Sequence, residues 1–240
     1  MNASYNDGEK EPDLHGNYHR SMGRRILWQV FHFLLVWLVY WLLFDGGLGT
    51  TSSWVGQSWP PGDFTRRIVI FLTSLILFLR WGLTNFYLLK RRMPWVEILV
   101  VCLELAFIHG AFAILGGQVA RPVGIIEFVG IWLFGIGSWL NTGSELQRAR
   151  WKKDPRNQGR IYDRGLFRYS MHINYFGDVV WSMGMALISG SPWIFLIPFY
   201  MCCGFLFLHI PRLDKHLQER YGQQYEDYAA RTRRFVPFLY

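Results

Sequence analysis

The chain has 240 residues, of which 51% are hydrophobic, 18% aromatic and 18% charged. Soluble domains carry roughly 25% charged residues, so this composition excludes an ordinary soluble protein and predicts an all-α, multi-pass transmembrane helical bundle. The net charge of +8 is expected of a basic cytoplasmic face near anionic membrane lipids, and it gives no reason to expect nucleic-acid binding.

Residues 1–25 are predicted to form a flexible cytoplasmic tail. They contain four acidic residues followed by Arg20, Arg24 and Arg25, and they include no apolar run. A secretory signal requires an apolar core and a cleavage site of small residues. This segment is therefore not predicted to be a removable signal.

Six apolar runs follow that are predicted to cross a bilayer, for which about 17 to 25 residues are required. The fifth run is short and begins inside a polar motif, so five or seven spans remain open. The six predicted spans are Ile26–Phe44, Ile68–Leu89, Trp95–Leu115, Val123–Leu140, Ile173–Ile188 and Pro192–Ile210.

The basic residues between these runs predict that both termini are cytoplasmic, because Lys and Arg are enriched in cytoplasmic loops. Six spans place most basic flanks on one side of the membrane, whereas Arg66, Arg67 and Arg121 fall on the other side. We expect the membrane to be a bacterial inner membrane or the endoplasmic reticulum.

Three cysteines, Cys102, Cys202 and Cys203, lie inside predicted spans. They are not spaced for zinc, and adjacent cysteines are poorly placed to bridge each other. We interpret them as small apolar side chains, and no metal site is predicted.

A basic run follows the fourth predicted span. Arg148 and Lys152 are four residues apart and share one face if the helix continues. A guanidinium and an ammonium so placed can neutralise a phosphate-bearing ligand. The alternative is attraction to lipid headgroups without a specific ligand.

The segment Gly165–Asp178 places polar side chains at the start of an apolar run. Asn174 and Asp178 are four residues apart and would share one face of a helix. His172 and Tyr175 are three residues apart and would share an adjacent face. The first pair can hold a planar amide or ribose hydroxyls, and the second can supply a proton. The alternative is a helix start that uses polar residues as interfacial caps.

The C-terminal tail contains Tyr221, Tyr225 and Tyr228, whose spacing places them in one stripe along the face of a helix. An amphipathic helix lying on the headgroups would explain this stripe. The apolar end of the chain, residues 235–240, instead favours packing of the tail against the bundle.

Three motifs together resemble the C-terminal signature of the steroid 5-alpha-reductase and sterol reductase superfamily, including its bacterial members. The motifs cover residues 140–240; over the first 120 residues the likeness rests on hydropathy alone. They are Gly165-Leu-Phe-Arg-Tyr-Ser-x-His-x-Asn-Tyr-x-Gly-Asp178, Tyr225-Glu-Asp-Tyr228 with Arg234-Phe-Val-Pro-Phe-Leu-Tyr240, and Gln147-Arg-x-x-Trp151-Lys-Lys-x-Pro155.

This resemblance implies that NADPH enters from the cytosol between the last helices and reduces a carbon-carbon double bond of a lipid-like substrate in the bilayer. Residues 26–140 would form the substrate side, and residues 141–240 would hold the cofactor. Residue by residue, it assigns Arg148 and Lys152 to phosphates, Asn174 and Asp178 to the nicotinamide side, and Arg168, Tyr228 and Arg234 to further cofactor contacts.

The reaction class requires a proton donor beside the reacting carbon or carbonyl. Tyr175 is the first candidate and His172 the alternative, whereas Asp178 is expected to orient the carboxamide or the donor. Glu104, seven residues after Glu97, is another candidate acid. A structural pairing of Arg80 with one of these two acids is equally expected.

Two departures from the family leave the substrate open. No Gln-Glu pair occurs in the early helices, where steroid reductases use one, and the tail has Arg212-Leu-Asp214 instead of adjacent Arg-Asp. The rival is an S-adenosylmethionine-dependent methyltransferase of the isoprenylcysteine carboxyl type, which shares a related helical core. Those enzymes have Pro at the position of Ile173, so this difference favours the reductase.

Overall fold

The computed structural model describes residues 21–91 and 93–240, and this part of the chain consists of helices joined by loops, with no β-strand. Residues 1–20 of the predicted tail (residues 1–25) lie outside the described residues. The α-helices are α1 Met22–Phe44, α2 Gly47–Trp54, α3 Phe64–Leu83, α4 Trp95–Ala111, α5 Ile125–Lys152, α6 Ile173–Ser189, α7 Leu196–Gly204, α8 Ile210–Tyr221 and α9 Gln223–Arg231.

Within residues 21–91 and 93–240, three π-helical segments extend or join these helices. Thr84–Leu88 continues α3, Phe112–Gly116 continues α4, and Phe205–His209 joins α7 to α8. A π-helical turn inside a longer helix often marks a functional position. The segment Phe205–His209 lies beside the candidate site.

The all-α multi-pass bundle is confirmed. Among the described residues, five helical segments are long and apolar enough to cross a membrane: Met22–Phe44, Phe64–Leu88, Trp95–Gly116, Ile125–Lys152 and Pro192–Tyr221. The remaining predicted span is α6, whose 17 residues measure about 26 Å at about 1.5 Å per residue. This length is slightly below the ~30 Å hydrocarbon thickness of a bilayer. Five segments are therefore long and apolar enough to cross a membrane, whereas six spans were predicted.

Helices α5 and α6 pack at glycines that face each other. A Cβ atom on Gly137 would lie 2.2 Å from the Trp181 backbone nitrogen, and one on Gly177 would lie 2.5 Å from the Asn141 nitrogen. Small residues allow membrane helices to approach this closely. The two helices that carry most of the candidate site are therefore held in one fixed register.

The three arginines that break the charge pattern have structural partners. Arg66 is fully buried and donates to the Ile188 carbonyl at the end of α6 (2.5 Å) and to Glu127 (2.9 Å). Arg121 donates to the same carboxylate at 2.7 Å, and Arg67 donates to the Leu43 carbonyl near the end of α1 at 2.6 Å. Arg66 and Arg67 thus satisfy carbonyl groups that helix ends leave open, and Arg121 helps to neutralise the buried Glu127 carboxylate. These contacts explain the positions of the three arginines.

Candidate functional site

A small cleft lies between the C-terminal end of α5, the start of α6, and helices α8 and α9. It brings together five of the predicted site residues, which come from three separate parts of the chain: α5, the start of α6, and α9. The cleft is lined by Arg148, Lys152, Ile161, Tyr162, Phe167, Met171, His172, Asn174, Leu213, Leu217, Tyr221 and Tyr228.

The two predicted cations lie on α5, which continues to Lys152, so they share a helix face as expected. Arg148 forms an ion pair with Glu145, and its guanidinium lies 5.5 Å from the centre of the Phe167 ring. The cleft therefore has positive charge at one end. One neighbouring carboxylate compensates for part of this charge.

Glu145 also links α5 to α6. Its carboxylate accepts a 2.9 Å hydrogen bond from the side-chain amide of Asn174, and Asn141 donates to the Asn174 carbonyl at 3.2 Å. No role was predicted from the sequence for Glu145 or Asn141. Their position one or two turns before Arg148 on the same helix could have indicated that they belong to the site.

Asp178 shares a helix face with Asn174 but has different partners. Its carboxylate accepts a 2.8 Å hydrogen bond from the Trp181 indole, and it is not among the residues that line the cleft. The nearby Arg80 guanidinium donates to Ser138, Asn141 and Thr142 at 2.9–3.0 Å.

The expected pairing of Arg80 with Glu97 or Glu104 is therefore not found. Glu97 instead pairs with Arg91, which lies just before α4. Glu104 is exposed on α4 and lies close enough to His209 for electrostatic interaction.

Tyr175 points toward α7 and not into the cleft. Its ring stacks against Phe205, with ring centres 4.6 Å apart and planes at 9°, and it lies parallel to His172 with centres 5.9 Å apart. His209 lies 6.3 Å from the same ring. Tyr175 thus lies between His172, which lines the cleft, and the C-terminal end of α7.

His172 belongs to a three-residue clasp. Its Nε2 lies 2.8 Å from one oxygen of Asp214, and the Arg234 side chain donates to the other oxygen at 2.8 Å. The ring is 1% exposed, and its Nδ1 has no hydrogen-bond partner among the described residues. The clasp fastens the C-terminal tail to the start of α6, and Asp214 was seen in the sequence only as a departure from the family pattern.

Tyr228 and Arg168 have contrasting surroundings. Tyr228 is buried and donates to the Phe167 carbonyl at 2.6 Å, and burial raises the pKa of its hydroxyl. Arg168 is exposed on the turn Gly165–Arg168 and is not among the residues that line the cleft. The tail therefore does close on the bundle, through a tyrosine side chain.

A second, polar groove of about 220 Å³ adjoins the cleft at Ile161. This surface was not predicted from the sequence, because its residues are dispersed along the chain. It is lined by Trp151, Arg160, Ile161, Asp163, Arg164, Gln224, Asp227 and Arg231.

A family model described as "Protein of unknown function (DUF1295)" matches residues 67–232, which include most of α3, all of α4 to α9 and both surfaces just described. The chain belongs to the DUF1295 family. The matched region contains every predicted site residue except Arg234.

This DUF1295 chain is also similar to proteins named as steroid dehydrogenases and as probable methyltransferases. It is 33% identical over 111 residues to the Bos taurus 3-oxo-5-alpha-steroid 4-dehydrogenase 1, covering 45% of this chain and 40% of the relative. The Ustilaginoidea virens probable O-methyltransferase ustE is 32% identical over 106 residues, 44% of this chain and 36% of the relative.

The Oryza sativa subsp. indica probable protein-S-isoprenylcysteine O-methyltransferase is 24% identical over 83 residues, 35% of this chain and 44% of the relative. The matches thus span less than half the length of these relatives. They confirm the resemblance of this DUF1295 chain to steroid 5-alpha-reductases and its relation to isoprenylcysteine methyltransferases.

Proposed function

We propose that this protein is an integral-membrane, NADPH-dependent reductase of a carbon-carbon double bond in a lipid-like substrate. The observation that carries this proposal is the convergence of Arg148, Lys152, Asn174 and Tyr228 on one cleft. These side chains come from α5, α6 and α9, so their meeting depends on the tertiary fold.

The side chains of the cleft suit a dinucleotide phosphate. Arg148 and Lys152 supply two positive charges to phosphate oxygens, and Asn174, with Glu145 beside it, offers a donor and acceptors for an amide or ribose. The adjoining groove adds Arg160 to this positive surface. The cleft volume is only about 50 Å³, so binding requires α8 and α9 to move away from α5.

Tyr175 is the proposed proton donor, because its ring lies at the side of α6 that faces α7. When bound, NADPH would supply a hydride, and the Tyr175 hydroxyl would give its proton to the other alkene carbon or to a conjugated carbonyl oxygen. His172 is less suited to this role, because Asp214 engages its Nε2. We infer that Asp178 has a supporting role through Trp181.

The methyltransferase is the second candidate, since ustE is a probable O-methyltransferase. S-adenosylmethionine carries a positive sulfonium, which the cations at positions 148 and 152 would repel. A polyanionic dinucleotide complements the same charges. The charge of the cleft therefore favours the reductase.

Calorimetric titration of the purified protein in detergent with NADPH, NADH and S-adenosylmethionine tests this proposal. We expect saturable binding of NADPH, weakened in an Asp178→Asn variant, and none of S-adenosylmethionine. Binding of S-adenosylmethionine without NADPH would replace the reductase by the methyltransferase.

A further inference from the structure

Helix α6 has two faces with different surroundings. Gly177, Trp181 and Gly184 lie on the face packed against α5. Tyr175 precedes Gly177 by two residues, a rotation of about 200° on a helix with 3.6 residues per turn. The face that begins at Tyr175 therefore points away from α5.

This second face forms one wall of a groove. Tyr175, Val179 and Met183 recur every four residues and so form one stripe. The opposite wall is formed by α7 and the turn before it. The groove, called the α6–α7 groove, has a volume of about 640 Å³ and is lined by Val179, Met183, Pro192, Trp193, Phe195, Leu196, Pro198, Phe199 and Cys202.

Both walls lead to the same pair of aromatic rings. On the α7 side, Pro198, Cys202 and Phe205 follow at spacings of four and three residues, which again define one helix face. On the α6 side, the stripe begins at Tyr175, and the Tyr175 and Phe205 rings stack at 4.6 Å. One end of the groove, at Val179 and Cys202, thus lies about one helical turn from the proposed proton donor.

The chemistry and width of the groove select its ligand. None of the described lining residues is charged, so the groove suits hydrocarbon, and its volume falls within the roughly 300–1,000 Å³ range of small-molecule sites. Its walls are two neighbouring helices, whose axes usually lie about 8–10 Å apart. That spacing suits a single extended chain better than a broad fused-ring system.

We propose that the α6–α7 groove holds the hydrocarbon tail of the substrate, which is therefore a lipid with a linear chain whose reducible end lies beside Tyr175. This inference rests on the proposed reductase function for the reacting end only. The stripe from Tyr175 to Met183 rises about 12 Å at about 1.5 Å per residue. A tail that follows it and continues to Pro192 would cross much of one membrane leaflet.

Photocrosslinking in nanodiscs tests the groove without relying on catalysis. The probe is a linear long-chain methyl enone that carries a diazirine at the end of its tail. We expect adducts on groove residues such as Met183 and Phe199, and competition by excess enone that lacks the diazirine. Adducts spread over lipid-facing positions such as Leu103, without competition, would show that ordinary membrane lipid fills the groove and would overturn the proposal.

Turnover with two substrates gives a second test. Val179→Trp and Met183→Trp would fill the groove and should raise KM for the long-chain methyl enone by about tenfold, while KM for a short-chain methyl enone stays unchanged. Leu103→Trp, on α4 with 62% exposure, is the matched control. Equal effects on both substrates would contradict a tail site. Absence of NADPH oxidation with either enone would count against the reductase function, while the crosslinking result would still decide the groove.

Discussion

Asn174 on α6 donates a 2.9 Å hydrogen bond to the Glu145 carboxylate on α5, and that carboxylate also pairs with Arg148. The residue proposed to contact the nicotinamide side is thus joined to a proposed phosphate ligand by one shared acid. The orientation of the Asn174 side chain therefore depends on that of Arg148. Binding of an anion at Arg148 would therefore change the partners available to Asn174.

Replacement of Arg148 by Gln is expected to weaken NADPH binding by about tenfold to a hundredfold, because a charge-assisted hydrogen bond contributes about 1.5–3 kcal/mol. Calorimetry at fixed ionic strength measures the change. Arg150→Gln removes the same charge from an exposed position of α5 and should change the dissociation constant by less than about threefold. Equal losses in both variants would indicate a general charge effect instead of a phosphate contact.

Tyr175→Phe is expected to lower kcat for enone reduction by about 10²–10⁴, the usual contribution of a positioned acid. The ring remains, so stacking on Phe205 and NADPH affinity should persist. Tyr169→Phe, an exposed tyrosine at the end of the turn Gly165–Arg168, serves as the control. A kcat within twofold of the original would exclude Tyr175 as the proton donor.

Gly137→Ala should destabilise the bundle by roughly 1–3 kcal/mol, because the new methyl group would lie 2.2 Å from the Trp181 backbone nitrogen. Gly135→Ala on the same helix meets no atom within 4 Å and should be neutral or slightly stabilising. Thermal unfolding in detergent compares the two variants. Similar melting temperatures would argue against close α5–α6 packing.

Glu127→Gln leaves the fully buried Arg66 without its anionic partner. Breaking a buried ion pair typically costs about 3–5 kcal/mol, so a large fall in Tm is expected. Glu97→Gln alters the partly exposed pair with Arg91 and should cost no more than about 1 kcal/mol. The difference in Tm between these acid-to-amide variants is the measurement, and a difference near zero would contradict a structural role for Arg66.

Asp214→Asn should loosen the C-terminal tail, because the carboxylate joins His172 to Arg234. Hydrogen exchange is expected to quicken at the Met171 and His172 amides, which donate to the carbonyls of Arg233 and Arg234. Asp154→Asn removes an exposed pair with Arg156 and should leave these amides protected. Unchanged exchange in the first variant would mean that the backbone bonds hold the tail alone.

Helical periodicity predicted the parts of the site that lie within one helix. Arg148 and Lys152 share a face of α5, and the spans could be located because apolar runs are local features. Contacts between distant segments were not predictable in the same way. The partner of His172 is Asp214, 42 residues later, and the partner of Arg66 is Glu127, 61 residues later.

Position on a common face also did not determine common function. Asn174 and Asp178 stack on α6, yet Asn174 bonds to Glu145 while Asp178 bonds to Trp181. The partner of Asp178 lies one turn along α6 itself, whereas the partner of Asn174 lies across the helix contact on α5. Periodicity indicates partners within one helix, and packing determines those on another helix.

The glycine contacts between α5 and α6 also have a consequence for recognition. One helix carries the cations and the other carries Asn174 and Tyr175, and a shift of either helix would drive backbone into backbone at Gly137 and Gly177. The distance between the side chains that would bind the two ends of a molecule is thus set when the bundle folds. The entropy of arranging these side chains is lost during folding and not during binding. A molecule of the wrong length would have to deform itself, because the protein cannot adjust the interval.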